Sequence, residues 1–363
     1  MPQSRFSTAL LSASAITLSF GLAYALALER PYWAGIAAMV LSQSAEGQSL
    51  QKGLWRMVGT VAGAAAGMSV LAWFGEARAS LLLACGVLLA VIVVFMRGSS
   101  YAYFYYSTAL MAVLTVAQSH GEAPFRMACA RMEENLAGIA AYTLCALCLR
   151  PQSASRELGG LPDFGRGFLQ ELLDILASER LREVLASKLI AGAQAFLALA
   201  LLVALWQELA PAGIESSLFI EIGSLLILLG FMTGRFPAWE LLFSFAAGIA
   251  AALALYCVVL PILTDFAELG AVLFALCFAM AWLFPSPEQG MARMGLLMPI
   301  FVLSGIGGLH FAPQPMLSAA VGRLCAALAV AGMFELADIG KGEKALSSAV
   351  DIRKVRAHFV SRA

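Results

Sequence analysis

The chain has 363 residues, of which 61% are hydrophobic and 13% charged, with a formal net charge of zero and a mean hydropathy of +0.84. An average soluble domain has about 25% charged residues, so this composition is typical of an integral membrane protein. The balanced charge argues against a nucleic-acid partner. The sequence has no phosphate-binding loop, dinucleotide fingerprint or zinc-binding helix motif, so we expect no enzyme activity, cofactor or metal.

Twelve apolar stretches, six on each side of a polar linker, predict an all-α polytopic membrane protein with about twelve transmembrane helices. Apolar helices of about 17 to 25 residues are long enough to cross the hydrocarbon core of a bilayer. The predicted spans are 8–28, 32–43, 53–74, 80–96, 101–116, 127–149, 189–209, 218–233, 239–259, 268–284, 295–309 and 316–334.

The order of the spans predicts two parallel six-helix repeats. Aligning the halves sets Trp55 against Trp239 and Thr60 against Ser244, as two repeats about an axis along the membrane normal would. Each half could itself contain inverted three-helix repeats, because the run from Arg131 resembles that from Arg56. The predicted divisions are a first repeat at 1–150, a cytoplasmic amphipathic linker at 151–188, a second repeat at 189–337 and a cytoplasmic tail at 338–363.

The distribution of cations predicts the orientation. Lysine and arginine concentrate in the linker, the tail and every second loop, whereas the remaining loops hold few. The positive-inside rule therefore places both termini in the cytoplasm. The linker helix is expected to lie on the membrane surface or against the tail.

Three glycines, Gly59, Gly63 and Gly67, recur every four residues in the third span and therefore share one helix face. Small residues allow close approach of helix backbones in a membrane. We interpret the three glycines as a packing face, and expect the sixth span, through Gly138, or the second repeat to cover it.

Five charged residues within the spans are candidates for function. Charges at membrane depth are unfavourable unless they face a partner or water. A guanidinium matches a carboxylate in bidentate fashion, so arginines could hold a carboxylate substrate. The alternative is snorkelling for Arg56 and structural ion pairing for Arg131 and Arg323. Burial favours the neutral form of a carboxyl group, so acids at depth could bind and release protons. The arginines are Arg56, Arg131 and Arg323, and the acids are Glu134 and Glu221.

An aromatic run opens the fifth span, with the sequence SSYAYFYYSTALM beginning at residue 99. Tyrosines are common at membrane interfaces, so anchoring is one interpretation. The other is stacking on an aromatic substrate, for which Tyr105 is the candidate.

The run PYWAGIAAMVLSQSAEGQSLQKGLWRMVGTVAGAAAG at 31–67 resembles the signature of the fusaric acid resistance and aromatic acid exporter family. Its matching positions include Trp33, Arg56, Gly59 and Thr60, and the stretch from Arg131 resembles that family's second arginine-to-glycine segment. We include Trp33 among the candidate substrate contacts.

This resemblance implies a proton-driven exporter of aromatic carboxylic acids, such as hydroxybenzoates, in the bacterial inner membrane. It also implies a periplasmic adaptor protein and an outer-membrane channel as partners, and a homo-oligomer is possible. Two alternatives stay open at this point. One is a passive organic-anion channel, and the other is a scaffold subunit without transport, in which the buried charges are paired internally and no hydrated cavity exists.

Overall fold

The computed structural model describes most of the chain and is all-helical there, with no strand in the described residues. The residues described are 5–43, 49–75, 78–117, 124–152, 154, 167–168, 170–171, 173, 181–209, 216–233, 238–286, 289–303 and 313–336.

Twelve α-helices follow one another within these ranges, close to the predicted positions. The first six are α1 (Arg5–Ala25), α2 (Tyr32–Ser42), α3 (Ser49–Phe74), α4 (Arg78–Met96), α5 (Ala102–Ala117) and α6 (Pro124–Leu149). The second six are α7 (Leu181–Leu209), α8 (Ser216–Thr233), α9 (Ala238–Ala254), α10 (Phe266–Leu283), α11 (Gly290–Leu303) and α12 (Pro313–Leu336). A π-helical turn, Leu255–Val259, and a 3-10 turn, Leu260–Ile262, extend α9.

Seven helices among the described residues are long and apolar enough to cross a membrane, fewer than the twelve expected. The 11 residues of α2 rise about 16 Å and the 14 of α11 about 21 Å, short of a hydrocarbon core of about 30 Å. Hydropathy alone predicted these two helices as membrane spans because a buried helix is apolar all round, as a spanning helix is.

The short helices lie inside the protein. Every residue of α5 from Tyr105 to Val116 is buried, and α2 is buried along nearly its whole length. The longer helices carry exposed apolar side chains, such as Leu83 and Val87 on α4 and Leu197 on α7, which is the surface expected toward lipid. The short helices α2 and α5 are therefore buried, and longer helices such as α4 and α7 carry the exposed apolar surface.

Helix packing connects the two halves in matching ways. Within the halves, α3 packs along α5 and α9 packs along α11. Between the halves, α4 packs on α7 and α1 on α10, while α5 contacts α8 and α2 contacts α11. These contacts form matching pairs related by a shift of six helices, with α1 following α12: α3–α5 corresponds to α9–α11, α4–α7 to α10–α1, and α5–α8 to α11–α2.

The glycine face of α3 packs on α5, so the expectation that α6 or the second repeat covers it is wrong. A Cβ added at Gly59 would lie 2.8 Å from the Phe104 carbonyl oxygen, and one at Gly67 would lie 2.8 Å from Thr115 Cβ. A Cβ added at Gly63 would lie closer still to the Thr108 carbonyl oxygen. Gly138, on α6, instead packs against the Ala34 carbonyl of α2.

Candidate functional site

Arg56 is held inside the helix bundle by polar partners and does not snorkel to the surface. It is 6% exposed. Its Nε donates to Asn135 Oδ1 on α6 at 2.6 Å, and its Nη1 donates to the Tyr103 hydroxyl on α5 at 3.0 Å. Asn135 Nδ2 donates in turn to Thr60 Oγ1 at 3.2 Å, one helical turn along α3. Three helices thus fix the guanidinium, and the small residues of α3 allow α5 to approach closely enough to do so.

Arg131 and Glu134 form a buried ion pair one turn apart on α6. They are 3% and 0% exposed, and Arg131 Nη1 contacts Glu134 Oε2. Glu134 Oε1 accepts a second hydrogen bond, from the backbone N–H of Arg30 at 2.9 Å. The Arg131 guanidinium carbon lies 5.0 Å from the ring centroid of Trp33, close enough for a cation–π interaction.

One small cavity joins these residues. Its volume is about 20 Å³, room for about one water molecule. Two of the buried N–H groups in its wall, Trp33 Nε1 and Arg131 Nε, have no hydrogen-bond partner among the described residues. Its lining residues are Trp33, Arg56, Thr60, Tyr106, Ser107, Leu110, Met111, Leu114, Arg131 and Asn135.

Unpaired buried donors are unfavourable, by about 1–3 kcal/mol each, until an acceptor reaches them. This cavity offers donors from a tryptophan and two arginines, and the acid next to it, Glu134, already accepts two hydrogen bonds. The chemistry that suits such a wall is an acceptor-rich, negatively charged group.

The aromatic run of α5 divides between two faces. Tyr106 lines the cavity and stacks on Tyr103 with ring centroids 5.8 Å apart. Tyr105, the predicted substrate contact, stacks instead on Phe95 of α4 at 6.2 Å and does not line the cavity. The spacing of Tyr103, Tyr106 and Leu110, three to four residues apart, is the sequence signal that separates the two faces.

Asn135 was not predicted as a site residue, although it links Arg56 to Thr60. Its spacing of four residues from Arg131 places both on one face of α6, and this was the available signal. Arg323, on α12, is buried but does not line this cavity. Glu221 lies in α8, and its side chain is outside the described part of the structure.

The described part of the linker contacts the helices next to the cavity. Phe168 packs against Trp55 at 5.1 Å and against Phe104 at 5.2 Å between ring centroids. Glu171 accepts hydrogen bonds from the Ser99 hydroxyl at 2.5 Å and from the Ser100 backbone N–H at 3.3 Å. The linker therefore covers the end of α5 that lies beside Tyr103.

The described residues include no cluster of three or more histidine, cysteine or acidic side chains that could hold a metal ion. Their seven cysteines are all free.

Comparison with known proteins gives one family match. Residues 6–204 match the model of the fusaric acid resistance protein family, which covers the whole candidate site. No curated protein and no solved structure matches the chain.

Proposed function

Because the chain belongs to the fusaric acid resistance protein family, and because two buried arginines meet at one cavity, we propose that it exports aromatic carboxylates. Membership indicates a membrane protein with a role in transport or efflux. The observation that carries the proposal is the cavity wall, where Arg56, Arg131 and Trp33 supply donors, two of them unpaired, to a buried space.

In the proposed binding mode, the substrate carboxylate accepts hydrogen bonds from the two arginines. Charge-assisted hydrogen bonds of this kind are about twice as strong as neutral ones. The rings of Trp33 and Tyr106 provide apolar faces for the aromatic part of the substrate. At about 20 Å³ the cavity is far below the ~300 Å³ typical of the smallest ligand pockets, so α5 and α6 must separate to admit substrate. The closed state supports a gated transporter over an open anion channel.

We propose that Glu134 binds the coupled proton. Its carboxylate already occupies one side of Arg131, so an incoming carboxylate competes with it for the same guanidinium. Protonation of Glu134 releases Arg131, and linkage then requires that substrate binding favour protonation in return. Proton and carboxylate thus bind together on this site, and the pair moves without net charge. This is proton–carboxylate symport, in which the substrate gradient drives export and an inward proton gradient opposes it, and it differs from the proton-driven export that the family resemblance implied.

The matching helix contacts support the two-repeat arrangement. The contacts of α3 with α5 and of α1 with α10 recur in the other half as those of α9 with α11 and of α7 with α4. The inverted three-helix repeat is supported by the glycines, since Gly63 of α3 packs on α5 while Gly138 of α6 packs on α2.

We propose the bacterial inner membrane as the location, with cytoplasmic termini. A periplasmic adaptor and an outer-membrane channel as partners rest on the family alone.

The test is export of a labelled hydroxybenzoate from proteoliposomes that contain the full chain. Flux should rise when the side that holds the substrate is more acidic than the opposite side. The Glu134→Gln variant should still transport the substrate, but its flux should no longer depend on this pH difference. Arg56→Met should reduce flux at least tenfold. Arg126→Met is the matched control, because Arg126 is an exposed arginine whose side chain is 69% accessible.

The sign of the pH effect separates the mechanisms. Exchange of substrate for incoming protons would give faster flux with acid on the opposite side, and that result would overturn the assignment of Glu134. Single-channel currents with no accumulation would favour the anion channel. Equal flux in Arg56→Met and Arg126→Met would reject the cavity as the substrate site.

A further inference from the structure

Another buried arginine, Arg293, lies in the second half of the protein outside the cavity described above. It is the fourth residue of α11 and is 3% exposed. Its Nε and Nη1 are buried and have no hydrogen-bond partner in the described part of the chain. A buried guanidinium is strongly unfavourable unless acceptors or a counter-charge surround it. Arg293 therefore lacks the acceptors that Arg56 and Arg131 have.

A second unpaired donor lies on the same side of α11. Gly290, one turn before Arg293, faces the side chain of Gln43 at the end of α2, where a Cβ on the glycine would be 3.2 Å from Gln43 Oε1. Gln43 Nε2 is also buried without a partner among the described residues. Residues three apart share a helix face, so Arg293 lies one turn along the face of α11 that Gly290 presents to Gln43, at the junction of α2 and α11. This junction is a contact between the two halves of the protein.

The start of α11 adds a third source of positive potential. The first backbone N–H groups of a helix have no partners within the helix, and the helix dipole favours an anion there. Gly290 has no side chain of its own, and the side chain of Gln43 lies beside this turn instead. Guanidinium, amide and helix terminus together form the donor set that proteins use for carboxylates and phosphates.

We propose that the junction of α2 and α11 binds a small oxyanion from solution through Arg293 and Gln43. Neither residue lines the cavity of Arg56 and Arg131. That cavity includes Trp33, near the first residue of α2, whereas Gln43 follows its last, so the length of α2, about 16 Å, separates the two sites. The site goes beyond the proposed function, because it requires no transport and stands if the first cavity binds nothing.

The test is thermal unfolding of the purified full chain in a neutral detergent with increasing benzoate or inorganic phosphate, against sodium chloride of equal ionic strength. A ligand at concentration c that binds only the folded state stabilises it by RT ln(1 + c/Kd), so the melting temperature begins to rise when the ligand concentration approaches Kd. In Arg293→Met, the concentration of oxyanion at which this rise begins should increase at least tenfold. Gln43→Leu should weaken binding less, and Arg126→Met should resemble the wild type.

Without oxyanion, Arg293→Met should unfold at the same or a higher temperature than the wild type, because the substitution removes an unpaired buried charge. If instead it unfolds lower and keeps the full response to benzoate and phosphate, Arg293 is a structural residue and the proposal is wrong. If only added anionic phospholipid stabilises the protein, through Arg293, the ligand is a lipid headgroup and the assignment to a solute is overturned.

The Arg56→Met variant keeps the two sites distinct. If both bind benzoate, each single substitution removes part of the stabilisation and the double substitution removes all of it. If the first cavity does not bind benzoate, the melting temperature of Arg56→Met rises with benzoate as much as that of the wild type, while Arg293→Met still loses this rise. A failure of the second site gives the opposite result.

Discussion

The packing of α3 on α5 should be disrupted by one methyl group at Gly63. The Cβ of Gly63→Ala would overlap the Thr108 carbonyl oxygen and lie 2.8 Å from Met111 Cβ. Both neighbours belong to a buried helix, so the two helices must move apart. Overpacking of this kind is unfavourable by about 1–3 kcal/mol. Alanine regains about 1 kcal/mol of helix propensity, so the net result is destabilisation by up to about 2 kcal/mol.

Gly21→Ala is the matched control. Gly21 lies within α1, and a Cβ there would meet nothing within 4 Å, so this variant should keep the propensity gain. Melting temperatures in detergent should therefore move in opposite directions for the two variants. Gly63→Ala should also weaken hydroxybenzoate binding, because separation of α3 from α5 lengthens the bond from Arg56 to Tyr103. Equal stability of the two variants would refute the close packing of α3 on α5.

Three further substitutions test other contacts. Asn135→Leu leaves Arg56 Nε unpaired and should weaken hydroxybenzoate binding at least tenfold, since hydrogen bonds to charged groups contribute about 1.5–3 kcal/mol, while Thr143→Val, which loses only a bond within α6, should not. Phe168→Ala should shift tryptophan fluorescence to longer wavelength, and the shift should vanish in a Trp55→Phe background. A hydrogen bond from Arg126 lowers the pKa of Glu29. The pair therefore stabilises the fold at pH values above the ordinary pKa of a glutamate, and this contribution is lost as the pH falls. In a profile of stability against pH, Glu29→Gln should therefore show a smaller loss of stability at acid pH than the wild type.

The sequence predicted the number and positions of the helices well, because each is a long apolar run bounded by polar or glycine-rich segments. It did not separate spanning helices from short buried ones. Both kinds are apolar all round, and only the neighbours of α2 and α11 reveal that protein, not lipid, surrounds them.

The sequence did not show which helices pack against each other. The glycines of α3 indicated that a helix backbone would come close, and nothing in the spacing distinguished α5 from α6 as that helix. The same limit applies to the tyrosines, since Tyr105 and Tyr106 are adjacent and only the placement of α4 and α6 decides which one lines the cavity.

The sequence marks some of the buried polar residues as candidates for function and not others. Arg56 and Arg131 stand out in the sequence through their matching glycine motifs, and the structure brings them to one cavity. Asn135 and Arg293 carry no comparable signal. An asparagine in a helix is common, and Arg293 lies near a predicted helix start, where an arginine would ordinarily reach the membrane surface.

Equilibrium binding of a labelled hydroxybenzoate to the purified chain tests most directly whether the arginine pair holds a carboxylate. We expect saturable binding that Arg56→Met and Arg131→Met each weaken at least tenfold, and that Arg126→Met changes by no more than a factor of two. Binding of equal strength in all four proteins, or no saturable binding in any, would contradict it.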